Sequence, residues 1–98
     1  MENNKLTLVA LVKAKEEKRD FVKNEILKLI PITRTEEGNI NYNLHQDNND
    51  PNIFILYENW ENRELWQNHM NNNHMVNYAN ATEDATVEWT LHELTKLD

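Results

Sequence analysis

Asn39 to Trp60 reads NINYNLHQDNNDPNIFILYENW, and it holds two strands joined by a turn. Ile40, Tyr42 and Leu44 alternate with Asn41, Asn43 and His45 over Asn39–Asp47, the two-residue period of a strand with one apolar face. Asn48-Asn49-Asp50-Pro51-Asn52 has the composition of a turn. Ile53 to Trp60 is apolar on both parities, as expected of a strand covered on both sides. The stretch therefore predicts a hairpin.

Working outward, the period on either side of the hairpin changes to that of a helix. From Lys15 to about Thr35, Val22, Ile26, Leu29, Ile30 and Thr33 form one stripe, with Glu16, Lys18, Arg19, Lys23 and Lys28 on the other side. Pro31 falls inside this pattern and is expected to kink or split the helix. Gly38 is placed to end the connection into the hairpin. After the hairpin, Glu61 to about Asn71 carries Leu65, Trp66, His69 and Met70 on one side, and Asn71-Asn72-Asn73 interrupts it. A shorter helical segment follows from His74 to about Asp84.

Two outer strands complete the pattern. Lys5–Ala14 (KLTLVALVKA) is aliphatic on both parities, and Ala85–Leu97 alternates Val87, Trp89 and Leu91 against Thr86, Glu88, Thr90 and His92. The order β-α-β-β-α-β is that of a ferredoxin-like α+β fold, with the helices on one face of an antiparallel sheet. Two strands that are apolar on both parities would leave the other face too greasy for a monomer. A homodimer with its sheets packed into a shared α+β barrel is expected, burying on the order of 1,600 Å² or more.

Composition removes several function classes. The 98 residues make one domain, 1–98, and carry 10 Lys+Arg against 17 Asp+Glu, a net charge of −7. Without a basic cluster, neither nucleic acid nor an anionic membrane is an expected partner. No cysteine is present, which excludes disulfides, thiolate chemistry and Cys-ligated metal. Gly38 is the only glycine, so no glycine-rich loop can cradle a dinucleotide or triphosphate. The amino-terminal Met1-Glu2-Asn3-Asn4-Lys5 does not resemble the start of a leader, and a cytoplasmic location is expected.

Glu37-Gly38-(x)3-Tyr42, Asp50-Pro51, Glu58-x-Trp60, His69 and His74-Met75 occur in an order that resembles the antibiotic biosynthesis monooxygenase family. The resemblance covers residues 5 to 97 and implies a dimeric α+β barrel. It implies one of three activities. The first is oxygen insertion into a small quinol or polyphenol with no metal or flavin, dioxygen being the second substrate. The second is isomerisation of a phosphorylated autoinducer-type signal, suggested by Glu36-Glu37-Gly38-Asn39 and Leu44-x-Gln46-Asp47, with Lys13 or Arg34 as phosphate contacts. The third is haem degradation, which in that family uses an axial His, an Asn and a Trp. The corresponding places here hold Ala79, Val12 and His69. A non-catalytic dimeric binding module is the alternative from outside enzymology.

Oxygen insertion without a cofactor needs an apolar slot for a flat ring, a base, and a donor for the resulting oxyanion. Histidine alone has an ordinary pKa near neutrality, which makes His69 and His74 the candidate catalytic residues. On one continuous helix they would point about 140° apart, and the Asn71–Asn73 break is what could turn both toward one cleft. The plain alternative puts His69 partly solvated on the surface and His74 capping the break. Their spacing does not match the His-x3-His of helical zinc sites, and no accompanying carboxylate cluster is evident, so no metal is expected. Tyr42, Trp60 and Trp66 are candidate substrate-binding walls, with core packing as the plain alternative for each. Glu58 shares a parity with Phe54 and Leu56 and would need a partner if buried, Arg63 or a residue of the other subunit. His45 and His92 fall on the opposite side of their strands, at a dimer interface or rim.

Overall fold

A computed structural model describes residues 4–98; Met1-Glu2-Asn3, part of the segment read for a leader, lies outside the described residues. The strands are β1 (Leu6–Ala14), β2 (Asn39–Gln46), β3 (Ile53–Trp60) and β4 (Thr86–Leu94), and the α-helices are α1 (Arg19–Arg34), α2 (Arg63–Met70) and α3 (Asn73–Thr82). The sheet is antiparallel throughout in the order β2-β3-β1-β4. The predicted ferredoxin-like arrangement is present, its second helix divided in two.

Every second residue of β1, from Leu6 to Ala14, is buried, and Phe54, Leu56, Glu58 and Trp60 of β3 share that face. Against it lie Val22, Ile26, Leu29 and Thr33 of α1, the stripe read from the sequence, with Ile30 packed partly against it. The opposite face carries Val9, Leu11, Ile53 and Ile55, half-buried, and Tyr57, exposed, with no helix over them. His45 and His92 are on this open face, paired with Ile55 and Val9. Its other end is polar, where Thr7 donates to Asn59 and Asn59 donates to Asn41 at 2.8 Å, linking three strands.

Three local expectations need correction. Pro31 does not split α1, which continues to Arg34. Both Pro31 and Leu27, whose carbonyl loses its hydrogen bond to the missing N–H, are exposed, so water can reach the freed carbonyl. Ile40 is not inward but 48% exposed, because the β2–β3 register slips between Asn39 and Asn41 and makes Ile40 the extra residue of a bulge. Trp89 pairs with Val12 on the helical face of β1, while Val87 falls at the register shift between Lys13 and Ala14 and has no β1 partner. The two are 60% and 52% exposed, Val87 at that irregularity and Trp89 on an edge strand that the helices do not fully cover. Among the described residues no helix is long and apolar enough to cross a membrane.

Candidate functional site

Gly38 sets up the site from the backbone. It follows α1 with φ at +86°, a conformation L side chains rarely adopt. Its carbonyl accepts from the Glu61 N–H at 2.8 Å, which ties the turn to the end of β3. A Cβ built there would lie 2.4 Å from Leu65 Cδ1, so the turn is pressed directly onto α2. That contact brings Glu36, two residues earlier, to the histidines.

Asn62 caps α2, its side chain accepting from the Leu65 N–H at 2.9 Å. The helix stops at Met70 and α3 begins at Asn73. The break does turn the two histidines together, with ring centroids 5.7 Å apart. Between them lies Glu36. His69 Nδ1 is 2.6 Å from Glu36 Oε1, and His74 Nε2 is 3.5 Å from the same oxygen without hydrogen-bond geometry. The Asn72 side-chain amide donates to Glu36 Oε2 and fixes the carboxylate from the other side. A carboxylate therefore does accompany the histidines, contrary to the sequence expectation. It was missed because it lies 33 residues before His69, and the one signal for it was the neighbouring Gly38.

His69 is not on the surface but 1% exposed, its ring 4.8 Å from that of Trp60 and 5.5 Å from that of Tyr42. Burial lowers its pKa, and the Glu36 carboxylate opposes that only in part. The ring is neutral at pH 7. With Nδ1–H given to Glu36, Nε2 is a lone-pair acceptor, and this buried atom has no hydrogen-bond partner among the described residues. Tyr42 and Trp60 are fully buried and Trp66 nearly so, all three in the core. The Tyr42 hydroxyl lies beside Thr33, without a hydrogen bond of acceptable geometry, and burial pushes its pKa well up.

Glu58 does not meet Arg63, its expected partner within the chain. Arg63 pairs with Glu93 at the surface, and Glu58 Oε1 instead accepts from Trp60 Nε1 at 3.0 Å. Burial pushes the Glu58 carboxyl up to about 7, although the indole N–H favours its ionised form. A carboxyl raised in the folded state binds more protons folded than unfolded between pH 4.5 and 7, so stability falls as pH rises through that window. The loss approaches about 3 kcal/mol above pH 7. Glu58→Gln keeps the acceptor for Trp60 and removes the charge. Its melting temperature should therefore change much less between pH 5 and 8 than that of the unsubstituted protein, and equal pH dependence of the two would contradict this assignment.

An open pocket of about 390 Å³ lies between α3 and the β1–β4 side of the sheet, lined by Val12, Met70, Met75, Tyr78, Ala79 and Trp89 among others. None of His69, His74, Tyr42, Trp60 or Trp66 lines it. Met70 and Met75, the residues that follow the two histidines, do. Val12 and Ala79, two of the three places tied to haem degradation, form its wall and offer iron no ligand. No Lys, Arg or His lines it either. Lys13 is 3.6 Å from Asp50, and Arg34 donates to the Tyr42 carbonyl at 3.1 Å, so the phosphate contacts suggested for an isomerase are engaged elsewhere.

The profile of the antibiotic biosynthesis monooxygenase family matches residues 6–81. The chain is 30% identical over 74 residues to YcnE of Bacillus subtilis (strain 168), whose description as a monooxygenase is provisional; the match covers 76% of this chain and 78% of that protein. Among solved structures, it is similar to PA3566 from Pseudomonas aeruginosa, with a TM-score of 0.93 and 26% identity over 97% of this chain and 96% of the other. A Nitrosomonas europaea protein of 19% identity superposes with a TM-score of 0.92 over 99% of this chain and 94% of its own, a likeness of fold.

Proposed function

The chain belongs to the antibiotic biosynthesis monooxygenase family, and from that premise we propose that it is a cofactor-independent monooxygenase of a small quinol or polyphenol, acting as a cytoplasmic homodimer. The observation that carries the reading is the His69–Glu36 pair, which leaves Nε2 of His69 buried and without a hydrogen-bond partner among the described residues, on the residue that precedes the pocket-lining Met70.

His69 Nε2 takes the phenolic proton, and Glu36 at Nδ1 holds the tautomer and stabilises the imidazolium that forms. The phenolate is electron-rich enough to reduce dioxygen itself. A quinol and dioxygen then yield a hydroxyquinone and water, the ring supplying all four electrons. The apolar pocket has the size and character of a small-molecule site. Tyr78, kept protonated by burial, offers a hydroxyl donor in its wall. Met70 and Met75, the residues that follow the two histidines, line the pocket and are flexible enough to shift as a ring enters, and the reading requires that shift to open a path to His69.

The experiment is oxygen uptake with a panel of dihydroxy-aromatics, repeated under nitrogen. Uptake of one dioxygen per ring oxidised is expected. No uptake with any quinol ends the reading, and turnover under nitrogen points to isomerisation instead. The dimer rests on the half-buried Val9, Leu11, Ile53 and Ile55 of the open face. Sedimentation at micromolar concentration should give twice the chain mass, and Leu11→Lys should halve it; a stable monomer refutes it.

A further inference from the structure

Glu36, His69 and His74 present three donor atoms, all within 4.8 Å of one another and contributed by three different segments. Two imidazoles and one carboxylate are a recurrent ligand set for zinc and other first-row divalent ions, with further positions left for water. We propose that these residues bind one divalent transition-metal ion, Zn2+ being the probe of choice, and that its entry silences the base by taking the place of the proton shared by His69 and Glu36.

Tetrahedral ligands at about 2.1 Å from zinc stand about 3.4 Å from one another. The 3.5 Å between His74 Nε2 and Glu36 Oε1 already has that value. The 2.6 Å between His69 Nδ1 and Glu36 Oε1 is a hydrogen-bond length, and has to open by about 0.8 Å as the ion replaces the proton. His74 Nε2 is buried and without a hydrogen bond among the described residues, which suits a ligand atom better than a structural cap. Asn72, donating to the other carboxylate oxygen, keeps Oε1 turned toward both rings, the role outer-shell partners play at metal centres. One feature limits affinity. Ligation through Nδ1 puts the His69 proton on Nε2, where no acceptor waits, so the site binds more weakly than a closed structural zinc site.

The test is calorimetric titration of chelator-treated, dialysed protein with Zn2+, with Co2+ absorption as a second readout. One ion per chain is expected. His74→Ala and Glu36→Gln should each weaken binding about tenfold or more, and His45→Ala, on the open face, should leave it unchanged. Circular dichroism checks that the variants fold. His74 is partly exposed, and if Glu36→Gln fails to fold, His74→Ala decides alone. Absence of saturable binding overturns the proposal, as does binding that survives His74→Ala or falls equally in His45→Ala. Zn2+ should also suppress oxygen uptake reversibly. Calorimetry needs no turnover, so the metal site stands or falls independently of the monooxygenase reading.

Discussion

Replacing His69 with asparagine is expected to lower the rate of quinol-dependent oxygen uptake by about 10²–10⁴-fold, the usual contribution of a positioned base. Asparagine offers a hydrogen bond but cannot take a proton at neutral pH. Glu36→Gln should lose somewhat less, since a neutral amide no longer fixes the tautomer or stabilises the imidazolium. His74→Ala should lose least, because its Nε2 is not hydrogen-bonded to the carboxylate. The pH profile separates a lost base from a damaged fold. Without His69 the substrate must ionise in water, so residual activity should climb with pH toward the phenolic pKa of about 10. A flat profile for His69→Asn, or a rate within threefold or so of the unsubstituted protein, would remove His69 from the mechanism.

Gly38→Ala is the substitution expected to cost the most stability. A Cβ at Gly38 would meet Leu65 Cδ1 at 2.4 Å and Leu65 Cβ at 2.7 Å, and the second of these moves only if α2 moves. The positive φ adds strain of about 1–2 kcal/mol for an L residue, and overpacking adds about 1–3 kcal/mol. The sum, roughly 2–5 kcal/mol, corresponds to a fall of about 10–25 °C in melting temperature for a domain of this size. Urea unfolding measures it. Because the same contact holds the Glu36 turn against α2, any folded fraction should also turn over poorly. A Gly38→Ala protein within about 0.5 kcal/mol of the parent would show that α2 yields easily and that the turn does not position Glu36.

The fold could be read from the sequence because its determinants are periodic. The double-parity apolar runs of β1 and β3, the stripe Val22-Ile26-Leu29-Thr33 and the polar break at Asn71–Asn73 all reappear in the structure. What periodicity cannot encode is where one element ends relative to another. Ile40 obeys the alternation of its strand, yet a single-residue bulge takes it off the core face. Val87 is set off by a similar irregularity in β4, and Trp89 has the right parity, but parity does not say that the helical layer stops short of an edge strand. Pro31 is tolerated because the carbonyl it deprives faces solvent, a fact of helix orientation.

The site was half legible for the same reason. His69 and His74 stood out by residue type, and the Asn break explained how both could face one way. Their carboxylate partner lies just beyond the end of α1, in a turn whose only sequence mark is Gly38. Glu58 was recognised as a buried carboxyl in need of a partner, but the indole of Trp60, two residues along the same strand, meets that need rather than a cation. The open pocket is formed by Met70, Met75, Ala79 and Trp89, apolar residues that look like ordinary core in any sequence.

The tautomer of His69 tests the account most directly. Long-range 1H–15N NMR of the metal-free protein at pH 7 should show His69 neutral, protonated at Nδ1 and bare at Nε2, with the Nε2 resonance moving when a quinol is added. An imidazolium at that pH, a proton on Nε2, or a His69 signal indifferent to every quinol would contradict the claim that Glu36 holds this ring ready to accept a substrate proton.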